Sequence, residues 1–476
     1  MKPAWGFGVF AFLAASICAG ADTAGINAFI EDELPESAAP GLAYALVEDG
    51  EVAARGFGEQ VQGSGRNVAP DTLFPIGSVT KSFTALAVMQ LVEAGSIALD
   101  DPVSRHVPAF ASGPANEVTV RQLLDHTSGY STVQGNSHHG SSELLQDGLV
   151  GYAGRLARVA PAHAPGTIWE YSNANYQILG ALIEQASGLS YADYVDARIL
   201  QPLGMTDTVV VVGRAPPAIA TGHRPWFGGV RAFARGEGFR VDAPAGGIVS
   251  SAPDMGRYLA MWMNGRDDIV SARTKSAMLA PSGPVSPHYG LGWNIDAEQG
   301  TVYHTGLVPG FETLAAFAPG ERKGVVVLVN ANSGLGFADT WHLIGGVAAR
   351  AMGQAHEDSG SRWGPKSAYL SIALLPPLFA MFAIVSWRGR SALRAKRWST
   401  PGKLSLWLPL PAMGILAWFL IAYIPRGFGG SLATLRLYQP DFALCLIASA
   451  ILAPAWAAFR LAISYSDRRS KGSHSH

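Results

Sequence analysis

The pattern of apolar and polar positions divides this chain of 476 residues into a long mixed part and a strongly apolar C-terminal part. In the mixed part, from about residue 22 to residue 353, strand-like and helix-like segments alternate. Residues 42–47 and 52–57 are strand-like and flank Asp49-Gly50, a pair typical of a two-residue hairpin turn. The pattern therefore predicts a β-hairpin near the start of a globular domain.

Three further strands are predicted near the far end of the mixed part, at residues 301–304, 313–317 and 324–330. A polar turn at 319–322 joins the last two strands, and residues 337–352 then have a helical pattern. Strands at both ends with helices between them indicate one α+β domain over residues 22–353, whose sheet is assembled from distant parts of the chain. The polar stretch 354–366 is typical of a linker.

Three stretches of the C-terminal part are almost free of charge: about residues 367–387, 404–425 and 442–460. At about 1.5 Å rise per residue, roughly 20 helical residues match a hydrocarbon core near 30 Å. The pattern predicts a transmembrane region of three helices over residues 367–463, with a tail at 464–476. Prolines inside these stretches predict kinks, because membrane helices tolerate proline. The lack of ionisable groups favours an anchor over an ion or proton pathway.

Charges in the connecting segments predict an orientation. Six basic residues lie between the first and second stretches, two lie between the second and third, and four lie in or near the tail. By the positive-inside rule, the first connection and the tail face the cytoplasm, and the preceding domain lies outside. Lys2, an apolar run at 5–17 and Ala19-Gly20-Ala21 agree with this, since they are typical of a signal peptide over residues 1–21. An uncleaved N-terminal anchor is the alternative. The predicted location is the bacterial inner membrane, with a periplasmic domain.

Composition narrows the classes of partner. The formal net charge is −1 and no basic stripe precedes the C-terminal part, so nucleic acid is not an expected partner. The mean hydropathy of +0.17 agrees with contact with a lipid bilayer. Cys18 and Cys445 fall in the predicted signal and a predicted span, which leaves no disulfide or cysteine metal site in the domain. His138-His139 are interpreted as part of a Gly/Ser/Asn-rich surface loop, so no metal or cofactor is predicted.

Candidate chemistry is concentrated in residues 74–83, where Ser78 stands three positions before Lys81. The apolar residues that follow predict a buried helix beginning near Ser78, and this spacing puts both side chains on one helix face. A serine hydroxyl needs a base to become an effective nucleophile, and a lysine can serve if burial lowers its pKa. The pattern is weak on its own, although it occurs once in this chain.

Two other short motifs carry suitable polar groups. Tyr171-Ser172-Asn173 offers a phenol that can relay a proton and an amide that can hold a substrate amide. His304-Thr305-Gly306 stands at the end of a predicted strand, where the glycine would let a substrate backbone approach closely. Taken singly, each motif is commoner as a surface tripeptide or a strand-end turn.

Together, and in this order, the three motifs resemble those of the serine β-lactamase and penicillin-binding superfamily. Segments 123–129, 245–251, 289–293 and 310–311 resemble its class C-like branch of serine hydrolases. The resemblance implies an antiparallel sheet flanked by helices, with a mostly helical subdomain and an active site between them.

The resemblance also implies roles for individual residues. Ser78 would form an acyl-enzyme, Lys81 and Tyr171 would share general acid/base duty, and which of the two deprotonates Ser78 stays open. The backbone N–H groups of Ser78 and Leu307 would form the oxyanion hole. The implied substrate-binding residues are Asn173, His304, Thr305 and Gly306.

His304 departs from the familiar class C β-lactamases, which have a lysine there to hold the drug carboxylate. A neutral histidine holds an anion less strongly, so efficient β-lactam hydrolysis is not expected. A signal, one such domain and three C-terminal spans are similar to the membrane-anchored peptidases that remove an N-acyl-D-amino acid from peptide prodrugs, such as the colibactin-maturing peptidase.

We therefore predict a peptidase that acts beside a D-amino acid on a small or peptidic substrate, acylated in the prodrug case. An esterase or a D,D-peptidase or D-aminopeptidase of the same branch is one alternative. A slowly turning over sensor of β-lactams or peptidoglycan is another, from a different functional class. The oligomeric state stays open.

Overall fold

A computed structural model describes residues 23–139, 148–213, 216–233, 240–335, 337–356 and 363–466. The strands are β1 Gly41–Glu48, β2 Glu51–Gly58, β3 Phe74–Pro75, β4 Val209–Val210, β5 Gly222–Trp226, β6 Gly229–Phe233, β7 Ile248–Ser250, β8 Asn294–Asp296, β9 Thr301–Val308, β10 Phe311–Ala318 and β11 Lys323–Val329.

The helices before the apolar C-terminal part are α1 Thr23–Glu36, α2 Thr80–Glu93, α3 Val120–Leu124, α4 Thr132–Gly135, α5 Leu149–Leu156, α6 Asn173–Ser187, α7 Tyr191–Val195, α8 Ala243–Gly246, α9 Ala252–Met263, α10 Ala272–Met278 and α11 Thr340–Ala351. Those that follow are α12 Trp363–Ala373, α13 Leu375–Arg388, α14 Arg390–Lys396, α15 Thr400–Trp407, α16 Pro409–Trp418, α17 Ile424–Gly427, α18 Leu432–Tyr438 and α19 Pro440–Tyr465.

The main sheet has six strands in the order β2-β1-β11-β10-β9-β8. Neighbouring strands are antiparallel, and β1 pairs with β11 from the far end of the domain, with Leu42 opposite Val329. The β1–β2 turn places Asp49 at φ +52° and Gly50 at φ +90°, a left-handed pair that Asp-Gly adopts readily. The predicted α+β class, the hairpin and the assembly of the sheet from distant segments are therefore confirmed.

Helices cover both faces of this sheet. On one face, α1 and α11 pack against β1 and β11, and Ile30, Val327 and Leu343 are fully buried between them. On the other face, α9 packs against β1, β2 and β11, and α2 and α6 continue the core into a mostly helical layer. Strand β11 is buried on both faces because its valines and Leu328 point alternately into the two cores. Burial on this scale, roughly 1.5–3 kcal/mol per large aliphatic side chain, stabilises the sheet in which β9 lies between β10 and the edge strand β8.

Strand β9 differs from its prediction. His304-Thr305-Gly306 lies inside the strand and not at its end, because the antiparallel pairing with β10 continues to Val308 opposite Phe311.

The helix predicted at 337–352 begins at Thr340, where the side chain of Asp339 accepts a hydrogen bond from the His342 N–H.

Within the described part of the chain, three helical stretches are long and apolar enough to cross a membrane: Trp363–Arg388, Thr400–Gly427 and Pro440–Tyr465. The first of them begins inside the predicted linker 354–366, so the helical part of this region is longer than its charge-free part. Leu374 separates α12 from α13 just before Pro376, and Leu408 separates α15 from α16 just before Pro409, whereas Pro454 lies inside the uninterrupted helix α19. The predicted kinks stay a prediction. The predicted signal peptide and most of the predicted tail lie outside the described residues, and the orientation stays a prediction.

Candidate active site

A tight turn after β3 presents Ser78. Gly77 has φ +52°, and a 3₁₀ turn over Gly77–Val79 leads directly into α2. A Cβ atom on Gly77 would lie 2.7 Å from the Leu307 nitrogen, and one on Gly306 would lie 2.0 Å from the Ile76 oxygen. Only glycine fits such spaces, so these two positions let the Ser78 turn approach β9 closely. The predicted oxyanion-hole pair, Ser78 and Leu307, thereby comes together, whereas Gly306 serves as a packing position.

Lys81 is fully buried one helical turn after Ser78. Its Nζ lies 3.0 Å from Ser78 Oγ, 2.8 Å from Asn173 Oδ1 and 2.8 Å from the Ala245 carbonyl oxygen. Burial lowers the pKa of Lys81 to about 7, and the charge of Asp242 opposes this shift only in part. A substantial fraction of the Lys81 side chains is then neutral at pH 7, whereas an ordinary lysine is almost fully protonated.

Tyr171 stands beside this pair. The Lys81 Nζ lies 4.9 Å from the centre of its ring. Burial raises the pKa of Tyr171 well above its usual value, and a side-chain hydrogen bond with Ser78 opposes the shift more weakly. The phenol therefore keeps its proton at neutral pH. His126 packs against the ring at 4.4 Å between centroids, and its Nδ1 accepts a 3.2 Å hydrogen bond from the Ser172 N–H, so it holds this segment in place.

The amide of Asn173 links Lys81 to a residue that the motifs did not reveal. While its Oδ1 accepts from Lys81, its Nδ2 donates to Asn136 Oδ1 at 2.8 Å. Asn136 in turn donates from Nδ2 to the Gly429 carbonyl oxygen, also at 2.8 Å. A continuous chain of hydrogen bonds thus leads from Ser78 to the C-terminal part of the molecule.

His304 is buried and uncharged. Its Nδ1 lies 2.7 Å from the Thr305 carbonyl oxygen, which can only accept, so this nitrogen carries the proton and Nε2 accepts from Tyr289 Oη at 3.2 Å. Burial and the nearby charge of Lys81 lower the pKa of His304 to about 3. The site consequently has a neutral histidine at the position where the class C β-lactamases have a lysine that holds the drug carboxylate.

The interpretation of His138-His139 as a surface loop is wrong. His138 is buried, and its Nε2 lies 2.7 Å from Oδ1 and 2.9 Å from Oδ2 of Asp242. Desolvation raises the pKa of Asp242, but His138, together with His139 and Gln177, more than offsets it, and the pKa falls to about 2. His138, His139 and Asp242 bring three potential metal-ligand atoms within 4.8 Å of one another. The Asp242 carboxylate already accepts a hydrogen bond from His138 and another, at 3.0 Å, from Gln177 Nε2. These bonds favour a hydrogen-bonded cluster over a metal site.

A cavity of about 450 Å³ opens over Ser78. Its lining includes the predicted residues Ser78, Tyr171, Asn173, His304, Thr305 and Leu307. It also includes residues that the sequence reasoning missed: Asn136, His139, Trp169, Asn294, Phe428, Thr434, Leu435, Tyr438 and Gln439. No local pattern marks most of these positions. The aromatic residues Phe428 and Tyr438, in the short connection between the second and third apolar stretches, are the one feature of the sequence that could have indicated a contact with the domain.

Comparisons with known proteins agree with this geometry. The family model described as Beta-lactamase matches residues 26–349. Protein flp of Staphylococcus aureus (strain MRSA252) is 29% identical over 322 residues, which cover 65% of this chain and 63% of that protein. The matched part of the chain thus spans less than two thirds of that relative. The putative penicillin-binding protein PbpX of Bacillus subtilis (strain 168) is 28% identical over 317 residues, covering 64% of this chain and 74% of PbpX.

Among solved structures, the octameric penicillin-binding protein homologue from Pyrococcus abyssi superposes with a TM-score of 0.60 at 28% sequence identity. The match covers 70% of this chain and 78% of that one. The family model covers the whole catalytic part, from the first helix to the last one before the apolar stretches, and the three motifs meet at one cavity. The chain belongs to the beta-lactamase family and is a penicillin-binding-protein-like serine hydrolase.

Proposed function

We propose that this serine hydrolase cleaves amides through an acyl-enzyme on Ser78, with Lys81 as the base. The observation that carries the proposal is the surroundings of the Lys81 amine. Two of its three neighbours, the Asn173 amide oxygen and the Ala245 carbonyl, can only accept hydrogen bonds. A neutral amine donates its two hydrogens to them, and its lone pair then faces the Ser78 hydroxyl at 3.0 Å.

During acylation, the proton of Ser78 passes to Lys81 and a proton from Tyr171 reaches the leaving nitrogen. The Ser78 oxygen attacks the substrate carbonyl carbon while its proton passes to Lys81, and the N–H groups of Ser78 and Leu307 hold the oxyanion. The C–N bond breaks as the leaving nitrogen takes a proton from the Tyr171 hydroxyl, which is replenished by the Lys81 ammonium. Lys81 is neutral again and the acyl group is on Ser78.

Deacylation repeats these steps with water. A water molecule attacks the ester carbon, Lys81 takes its proton, and the bond to Ser78 oxygen breaks. Lys81 then returns the proton to Ser78, which restores the enzyme. Tyr171 serves as proton donor and not as base, since burial keeps its pKa high.

The polar lining favours an uncharged acyl donor. Side-chain amides of Asn136, Asn173 and Asn294 border the cavity, and His304 is neutral. We therefore propose an N-acyl-aminoacyl amide as the substrate class, removed as an N-acyl-amino acid outside the cytoplasm. The preference for a D-residue derives from the resemblance to prodrug peptidases.

The test is to incubate full-length protein and its Ser78→Ala variant with N-acetyl-aminoacyl peptides carrying paired D- and L-residues, and to identify the products by mass spectrometry. We expect Ser78-dependent release of the N-acetyl-amino acid, faster for the D-form. Equal rates would remove the D-preference, and hydrolysis of the matching esters alone would make the enzyme an esterase. An acyl-Ser78 adduct that persists without turnover would instead identify a sensor.

A further inference from the structure

The hairpin of β5 and β6 has a face of arginine and aromatic side chains that lies outside the cavity over Ser78. Its antiparallel register places Arg224 directly opposite Arg231. Side chains two residues apart share a face of a strand, so Trp226 and Phe233 lie on the same face as the two arginines. The Arg224 guanidinium lies 3.8 Å from the centre of the Phe233 ring, and that of Arg231 lies 5.2 Å from the Trp226 ring. Each arginine thus stacks on an aromatic ring of the opposite strand, which orients both guanidinium groups.

The two arginines lack a counter-charge. Like charges directly opposite each other destabilise a strand pair, yet neither Arg224 nor Arg231 forms an ion pair with a carboxylate in the described part of the chain. Burial and the charge of Arg231 both lower the pKa of Arg224. The Nε atom of Arg224 is buried and has no hydrogen-bond partner among the described residues. Two guanidinium groups in this arrangement are suited to bind an anion.

Contacts with the C-terminal helices place this hairpin beside the beginnings of two predicted spans. At its tip, the Phe227 N–H donates to the carboxylate of Asp441, in the first turn of α19, at 2.9 Å. The same carboxylate accepts from Tyr369 Oη of α12 at 2.7 Å. An Arg224 N–H donates to the Leu437 carbonyl, just before α19, at 2.9 Å. Because the end of a span marks the boundary of the hydrocarbon, the hairpin lies at the level of the lipid headgroups.

The tip of the hairpin is apolar and exposed. Phe227 exposes 52% of its surface, and aromatic side chains are typical of the boundary between headgroups and hydrocarbon. Arg436, whose carbonyl precedes that of Leu437, is exposed and adds a third cation nearby. Asp441 is buried, and its carboxylate already accepts hydrogen bonds at the hairpin tip. Cations beside an exposed aromatic ring at this level favour an anionic lipid over a soluble anion.

We propose that the β5–β6 hairpin binds the headgroup of an anionic phospholipid, with Arg224 and Arg231 on the phosphate oxygens and Phe227 among the acyl chains. Arginine suits this role because its planar group donates several hydrogen bonds to phosphate and keeps its charge. The lipid is not a substrate, and the proposal is independent of the chemistry at Ser78. The catalytic domain is then held at the membrane surface by one of its own elements as well as by the predicted spans.

The test is native mass spectrometry of the full-length protein in detergent, titrated with dioleoylphosphatidylglycerol or with dioleoylphosphatidylcholine. We expect Arg231→Gln to weaken binding of phosphatidylglycerol about fivefold, the contribution of one arginine near an anionic surface, and to leave phosphatidylcholine binding unchanged. Adding Arg224→Gln should weaken phosphatidylglycerol binding further. Arg273→Gln is the matched control, because Arg273 is likewise exposed but lies on α10, and it should bind both lipids as the unaltered protein does. Arg231 is exposed, so its replacement should leave thermal unfolding without added lipid unchanged.

A nitroxide label at the hairpin tip tests its insertion. In Phe227→Cys, with Cys18 and Cys445 replaced by serine and the protein in phosphatidylglycerol vesicles, we expect more collisions with oxygen and fewer with a water-soluble nickel chelate than for a label at Ser276. Equal accessibility of the two labels to the chelate would overturn the insertion of the tip. Equal phosphatidylglycerol affinity with and without Arg231→Gln would overturn the headgroup site. Displacement of the lipid by inorganic phosphate at the same concentration would identify a free-phosphate site and overturn the lipid assignment.

Discussion

At the scale of single residues, the proposed chemistry depends on the protonation state of Lys81. Its amine is buried among Ser78, Asn173 and Ala245, and burial lowers its pKa to about 7. A base must be unprotonated to accept the serine proton, so activity should appear as pH rises through this value. The lowered pKa of Lys81 is therefore a consequence of its burial in the first turn of α2.

We predict that kcat/KM rises about tenfold per pH unit below pH 7 and reaches a plateau above it. The measurement is a pH profile between 5 and 10 on a substrate without ionisable groups. Titration of His304 does not account for a rise in kcat/KM between pH 5 and 7, since the pKa of His304 is about 3. A midpoint near 10, or a flat profile across neutrality, would contradict the assignment of Lys81 as the base.

Asp242 gives a second prediction at this scale. Its pKa of about 2 keeps it charged, and its charge raises the pKa of Lys81. Removing the charge in Asp242→Asn should favour neutral Lys81 and move the activity midpoint to lower pH, whereas Asp242→Glu should keep it near 7. A residue with only a structural role would change the height of the profile and leave its midpoint in place.

At the scale of elements, the site depends on how closely the Ser78 turn approaches β9. A Cβ atom on Gly77 would lie 2.7 Å from the Leu307 nitrogen, one of the two proposed oxyanion donors. We predict that Gly77→Ala lowers kcat by about 10²–10³-fold, the effect of losing one such donor. Thermal unfolding should be measured on the same samples.

Gly95→Ala is the control for backbone strain. Gly95 also has a positive φ, +69°, but nothing lies within 4 Å of its would-be Cβ atom. Both variants should lose stability, since alanine is strained at positive φ, and only Gly77→Ala should lose turnover. Similar kcat values in the two variants would show that the approach to Leu307 is not catalytic.

The elements also show what a sequence can predict. The hairpin at Asp49-Gly50 and the helix after Ser78 follow from local turn chemistry and periodicity, and both are present. The extent of β9 was missed because it is set by pairing with β10, which local patterns do not encode. Asn136 and Asp242 escaped notice for the same reason, since their partners Asn173 and His138 are distant in sequence.

At the scale of the whole molecule, the apolar stretches were predictable and their docking was not. The absence of charged residues shows how long each apolar stretch is, and the described helices include the predicted stretches. The contact of Gly429 with Asn136 depends on one carbonyl oxygen, a group that every residue carries, so no sequence signal marks it. The family motifs therefore located Ser78, the proposed nucleophile, and left one wall of its cavity unpredicted.

Orientation in the membrane is the prediction at this scale. Single cysteines would be introduced at Ser276, exposed on α10, and at Ser391, exposed between the first and second spans, with Cys18 and Cys445 replaced by serine. An impermeant maleimide should label Ser276→Cys in intact spheroplasts and Ser391→Cys only after permeabilisation. The reverse pattern would place the catalytic domain in the cytoplasm.

Residues 428–439, which connect α17 to α19, are continuous with two predicted spans, and this has a mechanical consequence. Helices of this length tilt when the hydrocarbon thickness of the bilayer changes. Tilt would displace Gly429, and through Asn136 and Asn173 the displacement would reach Lys81. Lipid composition would then act as an allosteric effector, so that the same enzyme would hydrolyse its substrate at different rates in thin and thick bilayers.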